Sequence, residues 1–127
     1  MKLRIRQEQN GWVAEVEGKV IAQESVKLGR KLEETILNAQ EGSPHIVVNV
    51  AQTAYLDSQG LGALVRARQS VQARGGLMAL SEAPQHILRL LEITKLSQII
   101  PAYPNDAAAL KAMRAQADGD PSAQTNA

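Results

Sequence analysis

The residues with the most chemistry in the least chain are Asp57-Ser58-Gln59-Gly60-Leu61-Gly62. They follow the apolar run His45-Ile46-Val47-Val48-Asn49-Val50 and open a segment with helical spacing. A carboxylate and a hydroxyl therefore fall at a strand-to-helix turn. Such a turn offers free backbone N–H groups and the positive end of a helix dipole, which suits a phosphate. A serine there has three possible uses: helix cap, nucleophile or phosphoacceptor.

The nucleophile lacks support. An attacking serine needs a base beside it, and the nucleophile elbow wants glycine two residues to either side. Gly60 fills one of those places, but Leu56 fills the other. His45 precedes the strand, at the edge opposite Ser58, and His86 falls on a later helix. Gly60-Leu61-Gly62 lacks both the Lys-Ser/Thr pair of a phosphate-binding loop and the full dinucleotide spacing. With no cysteine and two distant histidines, metal binding has no support. No enzyme activity and no cofactor is expected.

As a purely structural alternative, Asp57 or Ser58 caps the helix and Gly60 permits close packing. Leu56 anchors the loop, while Tyr55 is left for a partner. Arg66, Arg68 and Arg74 put positive charge along the helix, either as a solvated face or opposite an acidic partner. Glu33 and Glu34 point about 100° apart on their helix and form a solvated face.

The elements that must hold this turn are legible in order. Residues 3–9 alternate, Asn10-Gly11 signals a tight turn, and residues 12–17 alternate again, giving a β-hairpin. Leu28, Leu32, Ile36 and Ala39 then share a helix face, closed by Gly42-Ser43-Pro44. The run from Ile46 to Val50 has the continuous apolarity of a central strand covered on both sides. A second helix over residues 59–74 buries Leu61, Leu64, Val65 and Val71, with Arg68 snorkelling at the stripe's edge, and stops at Gly75-Gly76. A short strand over 77–80 and a third helix from Pro84 follow, the latter with Ile87, Leu90 and Leu91 inward. Residues 97–100 are expected as a weak last strand before Pro101. Asn105-Asp106 caps a last helix carrying Leu110 and Met113. The fold class is α/β: a mixed sheet of hairpin plus βαβ units, with helices packed on it. Residues 1–116 form the domain and 117–127 a polar tail expected to be disordered.

Bulk composition narrows the partners. The chain has 127 residues, the size of one domain. Only 2 % are aromatic, so base-stacking on single-stranded nucleic acid is disfavoured. Fourteen basic and 13 acidic residues leave a net charge of +1, with no field to attract nucleic acid or an anionic membrane. No apolar run approaches the roughly 20 residues of a membrane span. Met1-Lys2-Leu3-Arg4 lacks the apolar core of a signal peptide. A cytoplasmic location is expected.

The strand from His45, the turn from Tyr55 to Gly62, the run Gly75-Gly76-Leu77-Met78 and the segment from Ile87 to Leu96 together resemble a STAS domain. More narrowly they resemble the bacterial anti-sigma factor antagonists, over roughly residues 3–115. The resemblance implies partner switching that regulates transcription. The unphosphorylated antagonist binds an anti-sigma factor, itself a serine kinase of the histidine-kinase-like type, and the sigma factor is freed. Phosphorylation of Ser58 then releases the antagonist, and a serine phosphatase resets it. The implied contact residues are Tyr55, Asp57, Ser58, Gln59, Gly60 and Leu61, on a monomer or weak dimer. Two positions depart from the family pattern. Ile21 stands where Gly-x-Leu-Asp would put an aspartate near the phosphoacceptor, and Gln59 stands where a second Ser or Thr is frequent. The alternatives are a non-switching STAS scaffold in a signalling complex and a small-molecule or nucleotide sensor.

Overall fold

The computed structural model describes residues 1–8, 11–39 and 45–117. The expected Asn10 turn residue, the Gly42-Ser43-Pro44 helix stop and the tail beyond Ala117 lie outside the described residues.

Strands β1 (Lys2–Glu8) and β2 (Gly11–Val20) pair antiparallel. Helix α1 (Gln23–Leu37) leads to β3 (Ile46–Asn49) and β4 (Thr53–Leu56). Then come α2 (Ser58–Ala73), β5 (Met78–Ser81), α3 (Gln85–Ile93), β6 (Ala102–Tyr103) and α4 (Asp106–Ala117). The sheet runs β1-β2-β3-β5-β6, parallel from β2 onward, and β4 adds to β2 beyond the end of β3. This is the mixed α/β architecture that the hydrophobic pattern predicts.

The central strands are apolar throughout because both faces are covered. Ala14, Val16, Ile46, Val48, Met78 and Leu80 join Leu28, Leu32, Ile36, Leu64, Val71, Ile87 and Leu91 in the main core beneath α1, α2 and α3. Their neighbours Val13, Val47 and Ala79 point the other way, onto Ala109, Leu110 and Met113 of α4. The period of two along a strand divides the sequence between the two layers.

One expectation needs correction, and one strand was not expected. Ile99 and Ile100 are not in a strand: residues 96–98 form a 3-10 turn, and the Ile100 N–H bonds to Leu96 O at 2.8 Å. Their β-branched apolarity serves instead to bury Ile100 as a plug in the main core. The edge strand is Ala102–Tyr103, held through Leu80 N–H to Pro101 O and Glu82 N–H to Tyr103 O. Strand β4 is the other difference. Four residues are too few to show a period, and β4 is fixed by contacts remote in sequence: Thr53 Oγ1 donates to Val16 O at 2.7 Å, and Gly18 N–H to Gln52 O at 2.9 Å.

A polar network crosses the carboxyl ends of β3 and β5 on the α4 side. Asp106 accepts from Ser81, from Asn49 at 3.0 Å and from Arg6 at 2.8 Å. Arg6 also bonds Glu15 at 2.6 Å and Glu8 at 2.7 Å. The network ties the hairpin to the first turn of α4, which Asn105 caps by accepting the Ala108 N–H at 2.8 Å.

Candidate functional site: the turn between β4 and α2

The turn is built by Asp57. It stands at the N-cap of α2 with extended backbone, and its Oδ1 accepts the Gly60 N–H at 2.8 Å. The same oxygen accepts Ser25 Oγ–H at 2.9 Å, and Oδ2 accepts the Ala22 N–H at 2.9 Å. One carboxylate thus caps α2 and fastens the start of α1. The N–H groups of Ala22 and Gly60 chiefly hold this carboxyl below the usual aspartate range, with the Ser25 hydroxyl adding to them. Of the two capping candidates, Asp57 caps and Ser58 does not.

That division frees Ser58. It is the first residue of α2, and its side chain is exposed, with no hydrogen bond to another described residue. Gln59 is exposed beside it, and Tyr55 is 55 % exposed. Gly60 and Leu61 are buried beneath. A side chain at Gly60 would bring its Cβ to 3.0 Å from Leu56 Cδ2 and 3.2 Å from Val20 O. Of the six expected contact residues, Tyr55, Ser58 and Gln59 therefore form the surface. Asp57, Gly60 and Leu61 set its shape from within.

Two further exposed apolar residues belong to this surface. Ile21 is 40 % exposed and directly follows Val20, which pairs with Leu56. Val26 is 54 % exposed and lines an open groove of about 420 Å³ with Ser25, Ser58, Gln59, Gly62 and Arg66. Ile21 and Val26 thus leave apolar side chains exposed near the turn. Val26 was invisible in the sequence because its place beside Ser58 depends on how α1 packs on α2. Its only sequence signal is a β-branched apolar residue off the buried stripe of α1.

The histidines take structural places. Nδ1 of buried His45 accepts the Leu77 N–H at 3.0 Å, and His86 Nε2 lies 3.0 Å from Thr53 O. Neither appears among the residues that build the Ser58 groove. Among the described residues no group of three or more His, Cys, Asp or Glu could hold a metal ion, and no helix is long and apolar enough to cross a membrane.

The STAS domain model matches residues 3–109, nearly the whole described domain. The chain belongs to the STAS family. An anti-sigma F factor antagonist of Paenibacillus polymyxa is 33 % identical over 66 residues, 52 % of this chain. The chain spans about half, 56 %, of the length of that relative. An anti-sigma factor antagonist from Mycobacterium paratuberculosis superposes with a TM-score of 0.77 at 20 % identity, covering 89 % of this chain and 93 % of its own. The Bacillus cell fate determinant SpoIIAA in its phosphorylated form superposes with a TM-score of 0.67 at 14 % identity, covering 87 % and 97 %. At these identities the superpositions establish the STAS fold. Within that fold, the strand-to-helix turn of this STAS domain carries the serine.

Proposed function

We propose that this STAS domain is an anti-sigma factor antagonist that works by partner switching, as a binding module and a kinase substrate. Unphosphorylated, it docks through Tyr55, Ser58, Gln59, Ile21 and Val26 onto an anti-sigma factor of the histidine-kinase-like serine kinase type. That capture frees a sigma factor in the cytoplasm. The kinase then transfers the γ-phosphoryl of ATP to Ser58 Oγ. The Oγ–P bond forms, the bond to the ADP leaving oxygen breaks, and the serine proton passes to a base on the kinase. A serine phosphatase reverses the change.

One observation carries this proposal: Ser58 is exposed at a helix N-terminus while Asp57 alone provides the cap. A phosphoserine brings about −1.5 to −2 charges. The helix start tolerates that charge, so the domain stays folded. A desolvated interface with an apolar rim does not tolerate it. The 33 % identical antagonist from Paenibacillus polymyxa supports the same role.

Ile21 favours a second possibility, a scaffold that uses the same face without phosphorylation. An exposed isoleucine enlarges the apolar rim where the family pattern would offer a carboxylate to the kinase. The two are separated by intact-mass measurement after incubation with an anti-sigma factor of the serine kinase type and ATP. One added phosphate on the wild type, and none on Ser58→Ala, is the expected result. An unmodified wild type, with the partner bound, would establish the scaffold.

A further inference from the structure

The groove beside Ser58 holds a cation, Arg66, without a partner among the described residues. Ser58, Gly62 and Arg66 follow one another at intervals of four along α2. Each step turns the stripe by only about 40°, so the three share one side of the helix. Helical side chains lean toward the helix N-terminus, and Arg66 leans in that way. Its Nη1 lies 3.3 Å from the place a Cβ would take at Gly62. Its Nη2 lies 3.9 Å from the place a Cβ would take at Gly29 on α1. The guanidinium thus rests in a slot between two glycines, one on each helix, about 6 Å along the axis from Ser58. Further extension of Arg66 in the direction it already leans, toward the helix N-terminus, is what closes that span.

The neighbouring acids do not hold Arg66. Asp57 is occupied by Ala22, Ser25 and Gly60. Glu24 pairs with Lys27 at 3.8 Å and with the Met1 amino group at 3.6 Å. Glu33, one turn beyond Gly29, accepts the Ser70 hydroxyl at 3.1 Å. Among the described residues Arg66 has neither a hydrogen bond nor an ion pair.

We infer that Arg66 is the intrachain receptor for a phosphate on Ser58, which rests on Ser58 being the phosphoacceptor. The guanidinium swings from the Gly62–Gly29 slot onto the phosphate and binds it by charge-assisted hydrogen bonds. Phosphorylation then alters the docking face twice. It adds about two negative charges and withdraws the positive charge that Arg66 shows in the unmodified protein. The glycine at position 62 leaves room for the resting guanidinium.

The test installs phosphoserine at position 58 by genetic code expansion. No kinase is needed, so absence of the natural kinase reaction would leave this test intact. A phosphorus-31 NMR titration reads the second phosphate pKa, ordinarily about 6. The wild-type value is expected to lie below that of Arg66→Gln by about half a unit or more, and the gap should narrow as salt rises. Arg89→Gln, an exposed change on α3, controls for overall charge and is expected to leave the value in place. Circular dichroism of the unphosphorylated variants should match wild type, since Arg66 bonds to no described residue in that state. Equal phosphate pKa values in wild type and Arg66→Gln would overturn the inference. So would an Arg89→Gln shift as large as that of Arg66→Gln.

Discussion

The Asp57 carboxylate accepts the backbone N–H of Ala22 at 2.9 Å, across 35 positions of sequence. The start of α1 is thereby pinned to the start of α2, and the two helix ends frame Ser58. Removing the carboxylate should loosen both ends together. Asp57→Ala is expected to lower the melting temperature and to speed amide exchange at Ala22 and Gly60 more than elsewhere. Exchange that changes at Gly60 alone would show that the link to α1 carries no weight.

Ala22 itself sits at φ 50° and ψ −118°, a region that disfavours a side chain. Strain of this kind costs on the order of 1–3 kcal/mol, more than the roughly 0.4–1 kcal/mol that glycine loses through unfolded-state entropy. Ala22→Gly is therefore expected to stabilise the domain by about 1 kcal/mol. A fall in stability on urea denaturation would contradict the strain assignment.

Acid should weaken the domain through two carboxylates. Burial pushes Asp106 up, but hydrogen bonds from Ser81, Asn49 and Arg6 outweigh it and hold the group below the usual range. Asp57 is held low by the N–H groups of Ala22 and Gly60. Both have lower values folded than unfolded. Their contribution is complete above the ordinary aspartate value of about 3.9 and is lost as pH falls through the folded values. Asp106→Asn should be less stable than wild type at neutral pH and should show a shallower loss between about pH 4 and pH 2. Parallel acid limbs would contradict the network's role.

The end of α2 predicts an effect on stability without one on signalling. Gly75 has φ 81°, and the N–H groups of Gly75 and Gly76 return to Gln72 O at 3.0 Å and Val71 O at 2.8 Å. Gly75→Ala should cost about 1 kcal/mol, as a side chain in the left-handed region does. Modification of Ser58 should be unchanged, because this end of the helix is opposite the turn at Ser58.

Much of the domain was legible in the sequence because its pattern is local. Leu28, Leu32 and Ile36 share a helix face by spacing alone, and Ile46 to Val50 declares a doubly covered strand. The turn at Asp57 was legible because a carboxylate, a hydroxyl and glycines meet between a strand and a helix. What was hidden depends on distant partners. Thr53 belongs to a strand only because Val16 and Gly18 lie beside it. Asp57 faces inward because Ala22 and Ser25 come to it. Ile99 and Ile100 read as strand because β-branching marks burial as well as extension. Arg66 reads as one of three surface arginines until α1 brings Gly29 against it.

The affinity of the anti-sigma factor for the two states of Ser58 tests the switch most directly. Isothermal titration would compare the unmodified domain with one carrying phosphoserine at position 58. The unmodified domain should bind, and the phosphorylated one should bind at least about tenfold more weakly, a difference of about 1.4 kcal/mol. Ser58→Ala should match the unmodified protein, since Asp57 and not Ser58 caps the helix. Equal affinities of the unmodified and phosphorylated domains would contradict control of partner binding by charge at Ser58.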